Sequence, residues 1–365
     1  MPAVNSYLPL HVPPRVVCYI FSLEKLGNEN GFDCFIYLRG HTMSNSRGDI
    51  DLVGHKIVSF QELDAGTIPL IKNIIVIATK PEERWIEDVT RQIGEWRAKL
   101  RSAYIRWALA INGLEVAAKK YAEPNWAAQH DFIVTSLRPD ENGIRPDGGI
   151  KPKVTIIARW DGPTASQAHL NTMPMLATFG VIDLYAHLEE VIFALYRTYL
   201  NYHHRQLLRG NEFKNLRRLK READEDATAQ SAWEAAWQER LNSWQRKKLY
   251  DGLPKVFKSF CDIATIKASS IYKHGTVESW CECIEIIGLV RNALVHGATT
   301  VSDELAAACA KPYSLAFDFE KDKPLIVHLY HLQGIDLFCE QLLSALNCSL
   351  FELTNRAMPF EETKE

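Results

Sequence analysis

Residues 286–297 have the sequence IIGLVRNALVHG, and this stretch decides the fold expected for the second half of the chain. Apolar residues recur every three or four positions from Trp280 to Leu294, a spacing that predicts an amphipathic helix. Gly297 follows directly, and glycine commonly ends helices because it adopts a left-handed backbone conformation without steric cost. The sequence therefore predicts a helix whose last two turns carry three polar residues: Arg291, Asn292 and His296.

Arg291 falls on the apolar stripe of this predicted helix, four residues after Ile287. A guanidinium aimed at a core or an interface is costly unless a charge or a phosphate meets it. Asn292 and His296 share a different face, and Arg291 and His296 are separated by about 140° around an ideal helix. This pattern indicates a phosphate-binding or catalytic role. The structural alternative is an arginine paired with a core carboxylate and a histidine that only caps the helix.

Metal-independent RNA cleavage requires three groups around one phosphodiester. A base takes the proton of the ribose 2′-OH, a cation stabilises the transition state, and an acid protonates the leaving 5′-oxygen. One Arg291 and one His296 supply only part of this set. Two copies related by a twofold axis supply two guanidinium and two imidazole groups, and symmetric dimers are the commonest oligomers. We therefore expect a homodimer with a composite site that needs no cofactor and no metal.

The motif Arg291-Asn292-Ala293-Leu294-Val295-His296 resembles that of the HEPN family, in which an arginine, often followed by asparagine, precedes a histidine by four to six residues. The resemblance covers roughly residues 170–350. It implies a helical bundle that dimerises along the motif helices. It also implies metal-independent endoribonuclease activity, often in toxin–antitoxin, abortive-infection or other phage-defence systems. Some relatives carry a tyrosine two residues after the histidine, and this chain has Ala298 there.

The first part of the chain, residues 1–165, has the pattern of a mixed α/β domain that senses, regulates or recruits. One continuous apolar stripe predicts a long helix from about Pro81 to about Tyr121. Two further strands are expected at Asp131–Leu137 and Lys153–Trp160. Earlier strands are predicted in four runs rich in β-branched and aromatic residues: Arg15–Leu23, Asp33–Leu38, Asp51–Phe60 and Ile68–Thr79.

Residues 170–356 are predicted to form a HEPN-like all-α bundle with a small β-hairpin, which makes the fold class of the whole chain α+β. A charged insert is expected at 211–248. The other expected elements are a first helix at Leu176–Leu208, helices around Leu253–Ser269 and Val277–His296, a hairpin made of Pro312–Phe319 and Pro324–Tyr330, and a last helix from about Ile335 to Arg356.

Asp183, His187 and Glu190 are candidates to support the motif from the first helix. They lie at i, i+4 and i+7, so they share one helix face. In one interpretation this polar row lines the site opposite Arg291. In the other it is a solvated face of an amphipathic helix.

A basic run in the charged insert is a candidate for binding the RNA backbone. Its residues are Lys214, Arg217, Arg218, Lys220 and Arg221. The net charge of the chain is only −3, so any attraction for phosphate must come from such a local patch. The alternative is an exposed helix whose charge is balanced by the acidic residues that follow.

The composition is that of a water-soluble globular protein, with 47% hydrophobic and 24% charged residues among 365. None of the eight cysteines forms a CxxC pair, which argues against a structural zinc site and suits the reducing cytoplasm. No apolar run approaches about 18 residues, so no membrane span is expected. RNA and a possible antitoxin or regulatory partner are the expected partners. The alternative function is a non-catalytic module that binds RNA or nucleotide, or only dimerises.

Overall fold

The computed structural model describes residues 73–145, 148–270, 275–315 and 317–355. Most of these residues are helical, and a two-stranded antiparallel sheet accompanies the helices, so the α+β class is confirmed. The predicted strands Arg15–Leu23, Asp33–Leu38 and Asp51–Phe60 lie outside the described residues. The helices are α1 (Arg84–Ala122), α2 (Pro124–Ala127), α3 (Gly162–Tyr202), α4 (Lys214–Ala223), α5 (Ala227–Lys248), α6 (Leu253–Ile263), α7 (Val277–Val295), α8 (Asp303–Cys309) and α9 (Leu329–Glu352).

The predicted long helix is confirmed as α1, preceded by a 3₁₀ turn at Pro81–Glu83. The segment before it was predicted as part of a strand, but its described residues pair with no other strand. Instead, the Ile74 N–H donates to Asn347 Oδ1 of α9 over 2.8 Å, and Asn347 Nδ2 donates to the Ile74 carbonyl over 2.9 Å. One amide side chain thus takes the place of a neighbouring strand.

Helices α1 and α3 form an antiparallel pair that spans the predicted domain boundary near residue 165. Trp107 Nε1 donates to Asp183 over 2.8 Å, and Gln92 Nε2 donates to Thr198 over 2.8 Å. Buried side chains of α1 belong to one hydrophobic cluster with those of α3, α7 and α9. Because these apolar faces are buried against each other, α1 is part of the bundle. The packed core therefore continues across the boundary that the sequence predicted near residue 165.

Helix α3 begins earlier than predicted, at Gly162, where the Asp161 carboxylate accepts a hydrogen bond from the Thr164 N–H over 2.9 Å. Pro174 lies inside this helix, two residues before the predicted start at Leu176. The charged insert folds as α4 and α5. Three tryptophans of α5, at positions 233, 237 and 244, are buried, and Trp244 lies 4.8 Å from Tyr196 of α3 between ring centroids.

Strands β1 (Phe132–Ile144) and β2 (Ile150–Trp160) lie between α1 and α3, where two strands were expected, and they pair as an antiparallel hairpin. The second predicted hairpin, Pro312–Phe319 with Pro324–Tyr330, is wrong for the described residues. Its second arm pairs with residues 299–301 instead, through hydrogen bonds from Val301 N–H to Lys323 O and from Leu325 N–H to Thr299 O. The rings of Phe317 and Phe319 pack beside His331 of α9, which holds the first arm away from the second.

Candidate functional site

Helix α7 positions the motif, and both of its ends are specified locally. At the start, Thr276 and Ser279 form a reciprocal capping box that satisfies two backbone N–H groups. At the end, Gly297 has φ +71°, and the Ala298 N–H donates to the Ala293 carbonyl over 2.9 Å, which is a Schellman closure. The prediction of a helix that ends at Gly297 is confirmed.

Arg291 lies between α7 and α3. Its guanidinium carbon is 5.6 Å from the ring centroid of Tyr185, and Nη1 donates to Asn292 Oδ1 over 2.9 Å. A Cβ atom placed on Gly288 would be 3.4 Å from the Tyr185 hydroxyl, an ordinary contact distance, so the ring lies close against α7 at this residue. The tyrosine ring and the neighbouring amide therefore fix the direction of the arginine.

Glu189 lies one turn after Tyr185 on α3 and places a carboxylate near Arg291. Burial raises the pKa of Glu189, and the charge of Arg291 opposes that rise. Burial also raises the pKa of Tyr185, and the charge of Glu189 raises it further. The charge of Arg291 opposes this rise but does not cancel it. Among the described residues Arg291 forms no ion pair. Its guanidinium therefore keeps N–H groups that can donate hydrogen bonds to an anion.

His296 stands at the C-cap of α7, where its backbone N–H donates to the Asn292 carbonyl over 3.0 Å. The side chains of Asn292 and His296 are exposed, and Val295 between them is 48% exposed. No hydrogen bond joins Arg291 to His296 in one chain. The end of α7 is thus open to a polynucleotide or a second copy, and a single chain does not bring the two motif side chains into contact.

The polar row of α3 faces away from the motif. Asp183 accepts the hydrogen bond of Trp107 from α1, and His187 lies 3.8 Å from Asp183 and 3.6 Å from Glu190. On an ideal helix these three residues are about 100–160° from Tyr185 and Glu189. In one chain, therefore, Asp183, His187 and Glu190 do not join Arg291.

Tyr185 and Glu189 were missed by the sequence analysis. The available signal was a tyrosine and a carboxylate four residues apart, next to the apolar positions Leu184 and Leu188. A glutamate on the border of an apolar stripe requires either solvent or a cation, and Arg291 was the cation that lacked a partner.

The basic run divides into two groups on α4. Arg217 donates to the carbonyls of Leu208 and Gly210, at 2.5 and 2.7 Å. These hydrogen bonds connect α4 to the backbone of the segment that follows α3. Lys220 pairs with Asp224 over 2.6 Å and lies 5.6 Å from the Trp233 ring. The other three side chains are exposed and share one face, at i, i+4 and i+7: Lys214, Arg218 and Arg221. Arg218 also lies 3.7 Å from Glu222.

The cysteines near the motif are poor thiolate ligands. Burial raises the pKa of Cys281 to about 11 and that of Cys283 to about 12. Among the described residues, no three His, Cys, Asp or Glu side chains lie close enough together to hold a metal ion. None of the helices in the described ranges has the length and apolarity needed to cross a membrane.

A second polar cluster lies between α1 and α9. Glu340 forms ion pairs with Arg97 and, over 3.2 Å, with Arg101. Asp336 lies one turn before Glu340. Burial raises its pKa to about 7, Arg101 opposes the rise and Glu340 adds to it. The folded chain therefore favours the protonated Asp336 at a pH where the unfolded chain ionises it.

We predict that Asp336→Asn removes part of the pH dependence of stability. The contribution of a raised carboxyl pKa is fully present below the unfolded value near 3.8 and is lost as the pH rises through about 7. Between pH 5 and pH 8 the wild type should lose about 2–3 kcal/mol of unfolding free energy that the variant retains. Urea unfolding at both pH values measures this difference. Parallel losses in the two proteins would contradict the assignment.

Comparison with known protein families, with curated proteins and with solved structures found no match to this chain. The resemblance to the HEPN family therefore rests on the Arg291–His296 motif and its helical setting, and it stays a prediction.

Proposed function

We propose that the chain is a metal-independent endoribonuclease of HEPN type that acts as a homodimer. The observation that carries this proposal is the placement of Arg291 at an open helix end. Its guanidinium rests on Tyr185 and beside Asn292 without an ion pair in the described residues, and the exposed His296 follows on the next turn. An oriented cation and an exposed imidazole at the same helix end are suited to a phosphodiester in a dimer that brings both groups to it.

In the proposed reaction the 2′-oxygen attacks the adjacent phosphorus. One His296 imidazole takes the 2′-OH proton while the P–O2′ bond forms. The P–O5′ bond breaks, and the imidazolium of His296 from the other subunit gives its proton to the leaving 5′-oxygen. The products are a 2′,3′-cyclic phosphate and a 5′-hydroxyl. Arg291 binds the non-bridging oxygens, whose charge increases in the transition state.

Other residues have supporting roles in this proposal. Asn292 orients Arg291, with which it already shares a hydrogen bond, and the nearby Glu189 carboxylate attracts the guanidinium without forming an ion pair with it. The exposed side chains Lys214, Arg218 and Arg221 contact the RNA backbone away from the scissile bond. A role in prokaryotic defence or toxin-like growth control, with an antitoxin as partner, follows from the family resemblance and belongs to the proposal.

A non-catalytic RNA-binding or dimerisation module is the second candidate. Two observations favour it: Arg291 and His296 do not meet in one chain, and Ala298 stands where some relatives carry a tyrosine. Both candidates use the same exposed end of α7, so the formation of products distinguishes them.

The test is to incubate the purified full chain with RNA in excess EDTA and to analyse the product ends by mass spectrometry. We expect cleavage to persist, with 2′,3′-cyclic phosphate and 5′-hydroxyl ends, because no step requires a metal. The matched substrate is the same RNA with 2′-O-methyl groups throughout, which lacks the nucleophile and should stay intact. Cleavage that stops in EDTA and returns with a divalent ion contradicts the proposal. RNA that is bound but never cut supports the second candidate instead.

A further inference from the structure

The β1–β2 hairpin carries an apolar face that the bundle does not cover. The register pairs Leu137 with Val154 and Thr135 with Ile156, which places these side chains, together with Ile133, on one face. The four aliphatic side chains on this face are between 48% and 70% exposed: Ile133, Leu137, Val154 and Ile156. The opposite face carries Ser136, Arg138, Lys153 and Thr155 towards the tip. Nearer the base, Val134 pairs with Ala158 on that opposite face, and Arg159 pairs with Ile133 on the aliphatic face. The ribbon is therefore amphipathic, as expected of a sheet with one buried face.

Among the described residues, the bundle contacts the hairpin by its other face, at the base. Phe132 stacks on Trp160, with ring centroids 5.8 Å apart, and both belong to the face of Ser136. The Phe132 ring also lies 5.1 Å from Tyr121 of α1 and 5.4 Å from His169 of α3. These contacts fix the base of the hairpin and leave the apolar face directed away from the helices. An isolated two-stranded hairpin is marginal in water, so a further layer or strand is expected to cover it.

The size of this face argues against a second copy as its cover. Two strands about 4.8 Å apart and about six residues long present roughly 200 Å². A stable interface between free molecules buries about 800 Å² on each partner. A segment of the same chain has no such requirement, because tethering raises its effective concentration to the millimolar range.

The chain before residue 73 is long enough to reach the hairpin. Asn73 lies against Gly94 of α1 and donates to the Thr90 carbonyl over 2.9 Å. From Gly94 to the end of α1 at Ala122 the helix rises about 40 Å. About 12 extended residues cover that distance, so the chain can arrive at the hairpin near residue 60 and continue along it.

We infer that the apolar face of β1–β2 is the docking surface for the chain's own residues 15–60. This stretch contains three runs with strand-like composition, and all three are within reach: Arg15–Leu23, Asp33–Leu38 and Asp51–Phe60. Each run offers the β-branched and aromatic side chains that pack against an aliphatic sheet face. The inference does not depend on the proposed function.

The test is photo-crosslinking of the full chain with a benzophenone amino acid at position 154. We expect an intramolecular crosslink, at monomer mass, to a peptide from residues 15–60. The matched control places the same amino acid at position 155, whose side chain points to the opposite face, and we expect at least a tenfold lower yield of that peptide. A second probe at position 137 should reproduce the result of position 154. A crosslink at dimer mass, a crosslink to any part of the chain outside residues 15–60 and outside the hairpin itself, or no crosslink to residues 15–60 from positions 137 and 154 would overturn the inference.

Discussion

His296→Ala is expected to reduce the rate of RNA cleavage by about 10²–10⁴-fold, the usual contribution of a positioned proton-transfer group. The imidazole is the only proton-transfer group of the motif, and an alanine at position 296 removes it from both subunits at once. Its side chain is exposed and the C-cap hydrogen bond of this residue comes from its backbone, so the fold should be unaffected. Single-turnover cleavage in EDTA measures the rate, and thermal unfolding checks the fold.

His130→Ala is the matched control, because His130 is also exposed and lies in the turn between α2 and β1. The control should cleave at the wild-type rate, and both variants should bind RNA with nearly unchanged affinity. Equal cleavage by His296→Ala and the wild type would remove His296 from the reaction. In that case the alternative of a histidine that only caps α7 would hold.

Arg291→Ala is expected to reduce the rate by about 10²–10³-fold, the cost of removing one oriented group that stabilises transition-state charge. Arg291→Lys should be only partly active, because an ammonium group lacks the planar pair of N–H donors that meets two phosphate oxygens. The alanine variant also loses the contact with Tyr185, worth about 0.5–1 kcal/mol, and leaves the half-buried Glu189 without its nearby cation.

Arg106→Ala is the control for this experiment, because Arg106 is an exposed arginine of α1 that, within the described ranges, donates a side-chain hydrogen bond to Ser102, one turn earlier, and forms no ion pair. It should behave as the wild type in cleavage and in unfolding. The outcome that would contradict the role of Arg291 is a large loss of stability in Arg291→Ala with an unchanged rate per folded molecule. That result would make the arginine a structural residue of the α3–α7 contact.

The helices that carry the site could be predicted because their signals are local. The stripe from Trp85 to Leu114 defined α1, and the stripe to Leu294 followed by Gly297 defined α7 and its end. Both signals come from periodicity and from backbone preferences that do not depend on distant residues.

The parts that could not be predicted depend on how elements meet. The start of α3 was predicted at Leu176, yet the helix begins at Gly162 and passes through Pro174, because packing against α1 outweighs the hydrogen bond that proline removes. The rotation of α3 decides which residues face Arg291. Two polar pairs on this helix, Asp183 with His187 and Tyr185 with Glu189, have the same spacing in the sequence. The positions of α1 and α7 decide that the second pair lies near Arg291 and the first does not.

The most direct measurement of the composite site is the distance between the two copies of the α7 end in solution. Two imidazoles that hydrogen-bond to one phosphodiester must approach to within about 8 Å. A nitroxide attached through a keto amino acid at position 295 avoids the native cysteines and reports this separation by pulsed electron paramagnetic resonance, with 2′-O-methyl RNA bound. We expect one short distance, of about 20 Å or less once the linkers are allowed for. A monomer, or a dimer whose labels lie more than about 40 Å apart, would contradict the account, because each phosphodiester would then meet a single Arg291 and a single His296.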